Sequence, residues 1–333
     1  MPKIELHRHL EGALRLESLV EIARENNIPM PEYEVETLRP FVQVMNGQPR
    51  TPQNFLSKFS TLRQFYLSPE IICRLTREVI IDAAQDNIKY LELRFTPRTL
   101  CNLIKCGPED AIHWVYQTAR ETSQEYDITV KLIVSINRHE GVELARQVAM
   151  AAADRRDNGV VGLDLAGVEV GYSASQFRHI FREAREAGLH ITLHAGEWEG
   201  AQSVWDAVGN VGAERIGHGI RVIEDHGIIT ILKQRQIVLE VCPSSNVDSG
   251  AVASFADHPF RRLVESNLQV TINTDDPLVS GITLTDEMLR TVEHFNLTLD
   301  DLKRHTMVAA HSAFLPDNER AVLVTQFENW LYA

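Results

Sequence analysis

Cysteine is scarce in this chain. The four present, Cys73, Cys101, Cys106 and Cys242, form no C-x-x-C pair. Few and widely spaced, they argue against a disulfide framework and fit a reducing compartment. Long apolar runs are also missing: no window approaches the roughly 20 residues of a membrane span. The first ten residues, MPKIELHRHL, carry charge throughout and do not read as a signal peptide, so a cytoplasmic protein is expected. Positive charge is in deficit, with 33 Lys+Arg against 46 Asp+Glu and a net charge of −13. That balance argues against DNA or RNA binding, which needs clustered cations on phosphates. A neutral nucleobase or nucleoside stays open, because such a ring needs no basic patch. No Pro/Ser/Gly-rich linker divides the 333 residues, and a hydrophobic fraction of 44% excludes a disordered chain.

What the chain does contain is a short apolar run followed by a helical pattern, repeated. The runs are Lys3–Leu6, Tyr90–Phe95, Val130–Ile136, Val160–Leu165, His190–Leu193, Arg215–Gly217, Ile237–Val241 and Gln269–Ile272. Between them lie amphipathic stretches. Ile71, Leu75, Val79 and Ala83 recur every four residues behind Ser68-Pro69, an N-cap with proline at the first helical position. Phe177, Ile180, Phe181 and Ala184 behave alike and stop at Gly188. Alternating strand and helix means parallel α/β architecture, and eight repeats predict one closed (β/α)8 barrel over residues 1–333. The segment from about Glu32 to Tyr66 is an insertion after the first helix and a candidate lid.

A barrel of this kind carries its chemistry at the C-terminal strand ends, and the polar residues fall there. Run one ends in His7-Arg8-His9, run four in Asp164-Leu165-Ala166-Gly167, run five in His194-Ala195-Gly196-Glu197. Run six ends in Gly217-His218-Gly219 and run eight in Asn273-Thr274-Asp275-Asp276-Pro277. His7 and His9 are two apart, so on a strand they face one side. With His194 and Asp275 they make a thiolate-free N/O set suited to Zn(II), with Fe(II), Mn(II) or Co(II) also chemically allowed. Glu197 stands close by as a proton shuttle or, read locally, as a turn residue. His218, between two glycines, suits a base brought close to substrate. If Asp275 binds the ion, Asp276 is free for substrate. His113, His179, His226, His294 and His305 fall in or near helical patterns. His139 and His311 stand near element boundaries, with nothing to pair them with a second ligand.

These stretches, in order, resemble the adenosine deaminase family within the wider amidohydrolase superfamily. The matching segments are IELHRHLEGAL (4–14), NFLSKF (54–59), KYLELRFTP (89–97), GLDLAGVE (162–169), TLHAGE (192–197), ERIGHGIR (214–221), VCPSSNVDSGAV (241–252) and INTDDP (272–277). The resemblance implies a cytoplasmic, mononuclear zinc hydrolase that removes the exocyclic amine of a 6-aminopurine in purine salvage. His7, His9, His194 and Asp275 would hold the zinc, which lowers the pKa of its water from about 16 toward neutrality. His218 and Asp275 would orient and deprotonate that water, and Glu197 would protonate ring N1. Asp276 would hydrogen-bond N7, which requires a proton on its carboxyl. Gly167 would reach N3, and His9 and Glu11 would also face substrate. Strand four reads GLDLAG and lacks the lysine with which many superfamily relatives bridge two metals, so a single ion is favoured.

Three features separate substrates. Glu11 stands where adenosine-specific members carry Asp, and resembles the adenine deaminases. Gly250, and the apolar pair Leu56 and Phe59, match the adenosine type, although at helical spacing the pair also reads as plain core. The expected substrates are adenosine and 2′-deoxyadenosine. The alternatives are adenine, or another 6-aminopurine nucleoside or nucleotide, N6-alkylated or 5′-modified. A catalytically inactive purine-binding barrel is disfavoured by the complete residue set.

Overall fold

The computed structural model describes residues 1–332. Eight parallel strands follow one another in sequence order: β1 (Lys3–His9), β2 (Ile88–Phe95), β3 (Thr129–Asn137), β4 (Val160–Ala166), β5 (His190–Ala195), β6 (Arg215–His218), β7 (Val238–Val241) and β8 (Gln269–Ile272). Each contains one of the eight predicted runs or lies largely within it. Seven parallel ladders join neighbours from β1 to β8. The seam between β8 and β1 is closed beyond the end of β8. There the His9 amide donates to the Asp275 carbonyl at 2.8 Å, and the Asp275 amide to the His7 carbonyl at 2.9 Å. The hydrogen bonds that shut the barrel thus bring the first strand's histidines beside Asp275.

The helices between strands form because their apolar residues repeat at helical spacing and their ends are capped. After α1 (Leu16–Asn26), the 32–66 stretch folds as α2 (Val35–Val42) and α3 (Pro52–Leu62), with a short 3-10 turn at Arg63–Phe65. The Thr51 side chain caps α3 by accepting the Asn54 amide. Helix α4 (Pro69–Gln85) starts as predicted: Ser68 accepts the Ile71 amide at 3.3 Å and Pro69 occupies the first turn. A short α5 (Pro97–Cys101) follows β2. The helix Arg178–Glu186 stops just before Gly188 at φ +95°.

The barrel interior departs from the continuous apolar strands expected of a sheet covered on both sides. Glu5, Glu92, Arg94, Asp164, Arg215 and Glu240 are all buried inside it. They persist there because they are paired. Glu240 accepts from Arg94 Nη2 and Arg215 Nε, both at 2.7 Å, and from Thr192 Oγ1 at 3.2 Å. At the opposite end from the site, Phe314 lays its ring 3.5 Å from the Arg215 guanidinium carbon.

The cysteines correct one expectation. Cys101 and Cys106 are disulfide-bonded, with Cα atoms 5.0 Å apart. The turn after α5, with Lys105 in the left-handed region, folds the chain back over five residues. Sequence spacing carries no sign of that return. Cys73 and Cys242 are free. No helix among the described residues is long and apolar enough to cross a membrane.

Candidate active site

The five predicted strand-end ligands and bases converge. His7 Nε2 and His9 Nε2 each lie 3.3 Å from Asp275 Oδ1, and His9 Nε2 lies 3.2 Å from His194 Nε2. His218 Nε2 stands 4.0 Å from Asp275 Oδ2. His218 and Asp275 both adopt φ above +60°, a conformation that side-chain-bearing residues accept only where the surroundings enforce it. Gly217 is required sterically: a Cβ there would lie 2.8 Å from His7 Cε1.

The donor set fits a cation, and the reason lies one layer out. His7 Nδ1 donates to Glu240 Oε2 at 2.8 Å, and His194 Nδ1 donates to Asp164 Oδ1 at 3.0 Å. In the neutral imidazole each of these bonds leaves an unprotonated Nε2 facing the centre. His7 Nε2 is buried there with no hydrogen-bond partner, facing a carboxylate that also has only lone pairs to offer. Lone pairs aimed at one another without a proton between them are stabilised by a metal ion. His7, His194, His218 and Asp275 place one ligand atom each within 4.8 Å of one another; His9, Asp164 and His194 form an overlapping group.

His218 has its tautomer set by a chain of hydrogen bonds. The Phe260 amide donates to His258 Nδ1 at 3.1 Å, so His258 carries its proton on Nε2 and donates to Asn246 Oδ1 at 3.2 Å. The Asn246 amide group then donates to His218 Nδ1 at 3.1 Å. Burial pushes His258 down to about 3, which keeps the chain neutral. The outcome is an Nε2–H on His218, 3.6 Å from Glu197 Oε2. Sequence reasoning made His218 a base; neutral, this imidazole presents a donor.

The carboxyls separate into two kinds. Burial raises Glu197 well above the usual carboxylate range, and the charges of Asp275 and Glu169 add to it. Asp276 is raised likewise, by burial first and then by Asp275, Glu11 and Glu197. Burial also opposes ionisation of Asp275, but the close approach of His7, with His218 and His9 beside it, outweighs that and holds the carboxyl well below its usual value. Asp276 Oδ1 is buried without a partner, and its position depends on Gly12, where a Cβ would overlap it at 1.8 Å. Glu11 accepts the Thr96 amide at 2.7 Å through one oxygen and leaves the other unpaired. Burial lifts Glu11 to about 7.

A cavity opens above this cluster. His9, Glu11, Gly167, His194, Glu197, His218, Asp275 and Asp276 line it, as do Phe55, Leu56 and Phe59 from α3. His7 lies beneath, fully buried. Gly250 does not reach the cavity; it abuts the Arg50 carbonyl, where a Cβ would lie at 2.3 Å. Sequence reasoning missed Arg63, Thr99, Asn137, His139 and Trp198, all on the wall. Nothing in the sequence pairs His139 with a second ligand, yet its place three residues after the strand-three run is the available signal. Asp164 and Glu240 were also visible, as lone carboxylates inside apolar runs.

A family profile described as adenosine deaminase matches residues 2–330. The adenosine deaminase of Klebsiella pneumoniae (strain 342) is 36% identical over 324 residues, covering 97% of each chain. That of Shigella flexneri serotype 5b is 35% identical over 323 residues, covering 97% of this chain and 96% of the other. Among solved structures, an adenine deaminase from Arthrobacter aurescens superposes with a TM-score of 0.90 at 27% identity, over 100% of this chain and 99% of that one. An Arabidopsis N6-mAMP deaminase superposes with a TM-score of 0.87 at 29% identity, over 99% and 98%. The match runs nearly end to end and takes in every strand that feeds the cavity, so the chain belongs to the adenosine deaminase family.

Proposed function

We propose that this protein hydrolyses the exocyclic C–N bond of adenosine and 2′-deoxyadenosine, taking up water and releasing inosine or 2′-deoxyinosine and ammonia. The observation that carries the reading is the pair Glu197 and Asp276, buried carboxyls held toward the protonated form on one cavity wall. Purine N1 and N7 are both acceptors, and only a protonated carboxyl can donate to them. Glu197 gives its proton to N1, which draws electron density from C6 and opens that carbon to water. Asp276 donates to N7, and Gly167, at φ +83°, offers backbone to N3.

We assign His7, His9, His194 and Asp275 to one Zn(II) per chain, an ion that supplies a water of lowered pKa. The Nε2–H of His218 orients the attacking water, and ionised Asp275 takes its proton. Phe55, Leu56, Phe59 and Arg63 support reading the 32–66 segment as a lid over the sugar side. A cytoplasmic setting rests on free Cys73 and Cys242; the Cys101–Cys106 bridge weighs the other way.

One observation favours a second substrate class. Arg63 is exposed on the cavity wall, beside the apolar α3 face, and makes no ion pair among the described residues. An unpaired guanidinium there suits an anionic 5′ substituent. The reading as a whole is tested by following the ultraviolet change with adenosine, 2′-deoxyadenosine, adenine and AMP. Faster turnover of adenosine than of adenine is expected; adenine as the better substrate would overturn it.

A further inference from the structure

Glu169 is buried, ends the GLDLAGVE segment and does not line the cavity. Its carboxylate nonetheless gathers four donors from one loop and a fifth from the helix that follows. Oε1 accepts the Gly196 amide and the Ser203 hydroxyl, both at 2.6 Å. Oε2 accepts the amides of Glu197 at 3.1 Å, Trp198 at 2.8 Å and Glu199 at 3.1 Å. Four consecutive backbone N–H groups thus converge on a single side chain. No lysine or arginine forms an ion pair with it among the described residues. Peptide dipoles and one hydroxyl make its hydrogen bonds, as in an anion-binding backbone nest, and the Arg138 charge lies nearby.

That arrangement is more than a helix cap. The helix Ala201–Trp205 begins only after the four amides. The gathered loop leaves β5 one residue past Ala195, and it carries Glu197 and Trp198 into the cavity wall. Any other loop path would strip a buried carboxylate of charge-assisted hydrogen bonds, which are about twice as strong as neutral ones. The loop is therefore held in the one path that aims Glu197 inward, where its Oε1 accepts from Ser249 Oγ at 3.1 Å.

We propose that Glu169 is a positioning residue for the deamination: by collecting the Gly196–Glu199 amides it fixes the Glu197 carboxyl in reacting geometry. The inference rests on the deaminase reading above. Glu169 touches neither substrate nor metal ligand side chain, so it acts on the proton-transfer step through Glu197 and leaves purine binding and metal retention to other groups.

The test compares the parent enzyme with Glu169→Gln and Glu169→Asp, measuring kcat, KM for adenosine and the zinc-to-protein ratio. Gln keeps the shape, loses the charge and turns an NH2 toward N–H donors. It is expected to lower kcat about 10²-fold, the cost of a misplacement near 1 Å, with KM within about threefold and zinc unchanged. Asp keeps the charge on a shorter stem and is expected to recover about tenfold of that loss. A kcat per zinc within about twofold of the parent in the Gln variant would overturn the proposal. So would parallel loss of kcat and zinc with Asp no better than Gln. If the Gln variant does not fold, the Asp variant decides, and parental kcat there overturns the proposal. Failure of the parent to turn over adenosine would instead remove the deaminase reading itself.

Discussion

His7 Nδ1 lies 2.8 Å from Glu240 Oε2, and both side chains are fully buried. This hydrogen bond orients the imidazole and raises its basicity toward the proposed metal ion. Glu240 also balances Arg94 and Arg215, whose charges hold its own carboxyl well below the usual range against the opposing effect of burial. Glu240→Gln is expected to weaken zinc binding about 10- to 100-fold. It is expected to destabilise the fold by about 3–5 kcal/mol, because two buried guanidiniums lose a counter-charge. Chelator competition and thermal unfolding measure the two effects; unchanged zinc affinity would detach Glu240 from the metal centre.

Glu197→Gln keeps the shape of the proposed proton donor and removes its acidity. Binding of substrate and zinc is expected to persist while kcat falls about 10²- to 10⁴-fold. Near-parental kcat would take Glu197 out of the proposed mechanism.

Asn246 decides which nitrogen of His218 bears hydrogen. In Asn246→Asp the side chain accepts from Nδ1 instead of donating to it, and Nε2 loses its proton or the ring becomes charged. A loss on the order of 10²-fold or more in kcat is expected, with zinc content unchanged. Activity equal to the parent would show that the Nε2–H is not used.

How much of this could be read from the chain alone follows from range. The strands were legible because β/α repetition leaves an apolar run for each, and the candidate ligands because HRH, HAGE, GHG and NTDDP all end such runs. The pairings of the supporting layer were hidden by distance. Asp164 reaches His194 across 30 positions and Glu240 reaches His7 across 233, and neither pairing has a local pattern. Arg63 was hidden for another reason. It follows α3 directly, and only the path of that helix across the barrel mouth brings it to the cavity. The tautomer of His218 could not be read at all, because it depends on a backbone amide, that of Phe260, two side chains away.

Arg63 separates substrates by charge. Arg63→Ala is expected to reduce kcat/KM for AMP by about tenfold or more, the worth of a charge-assisted hydrogen bond. Adenosine, which carries no anion at the 5′ position, is expected to change little. Equal losses for both substrates would assign Arg63 to lid packing instead of anion recognition.

Glu287 gives a stability test remote from the metal centre. Its carboxyl is fully buried, accepts the Ser244 amide at 2.7 Å, and is raised by burial from 4.5 to about 7. A folded value above the unfolded one means that the native state binds the extra proton between those values. The stability linked to that proton is complete below pH 4.5 and is lost as pH rises through 7. Glu287→Gln, which never ionises, escapes this loss. Relative to the parent it is expected to gain stability from pH 4.5 to pH 7 and slightly beyond, by up to about 3 kcal/mol. Urea midpoints for both proteins across that range measure the difference. A difference that stays flat with pH would mean that Glu287 is ionised in the folded protein, with Arg290 and the Ser244 amide outweighing its burial.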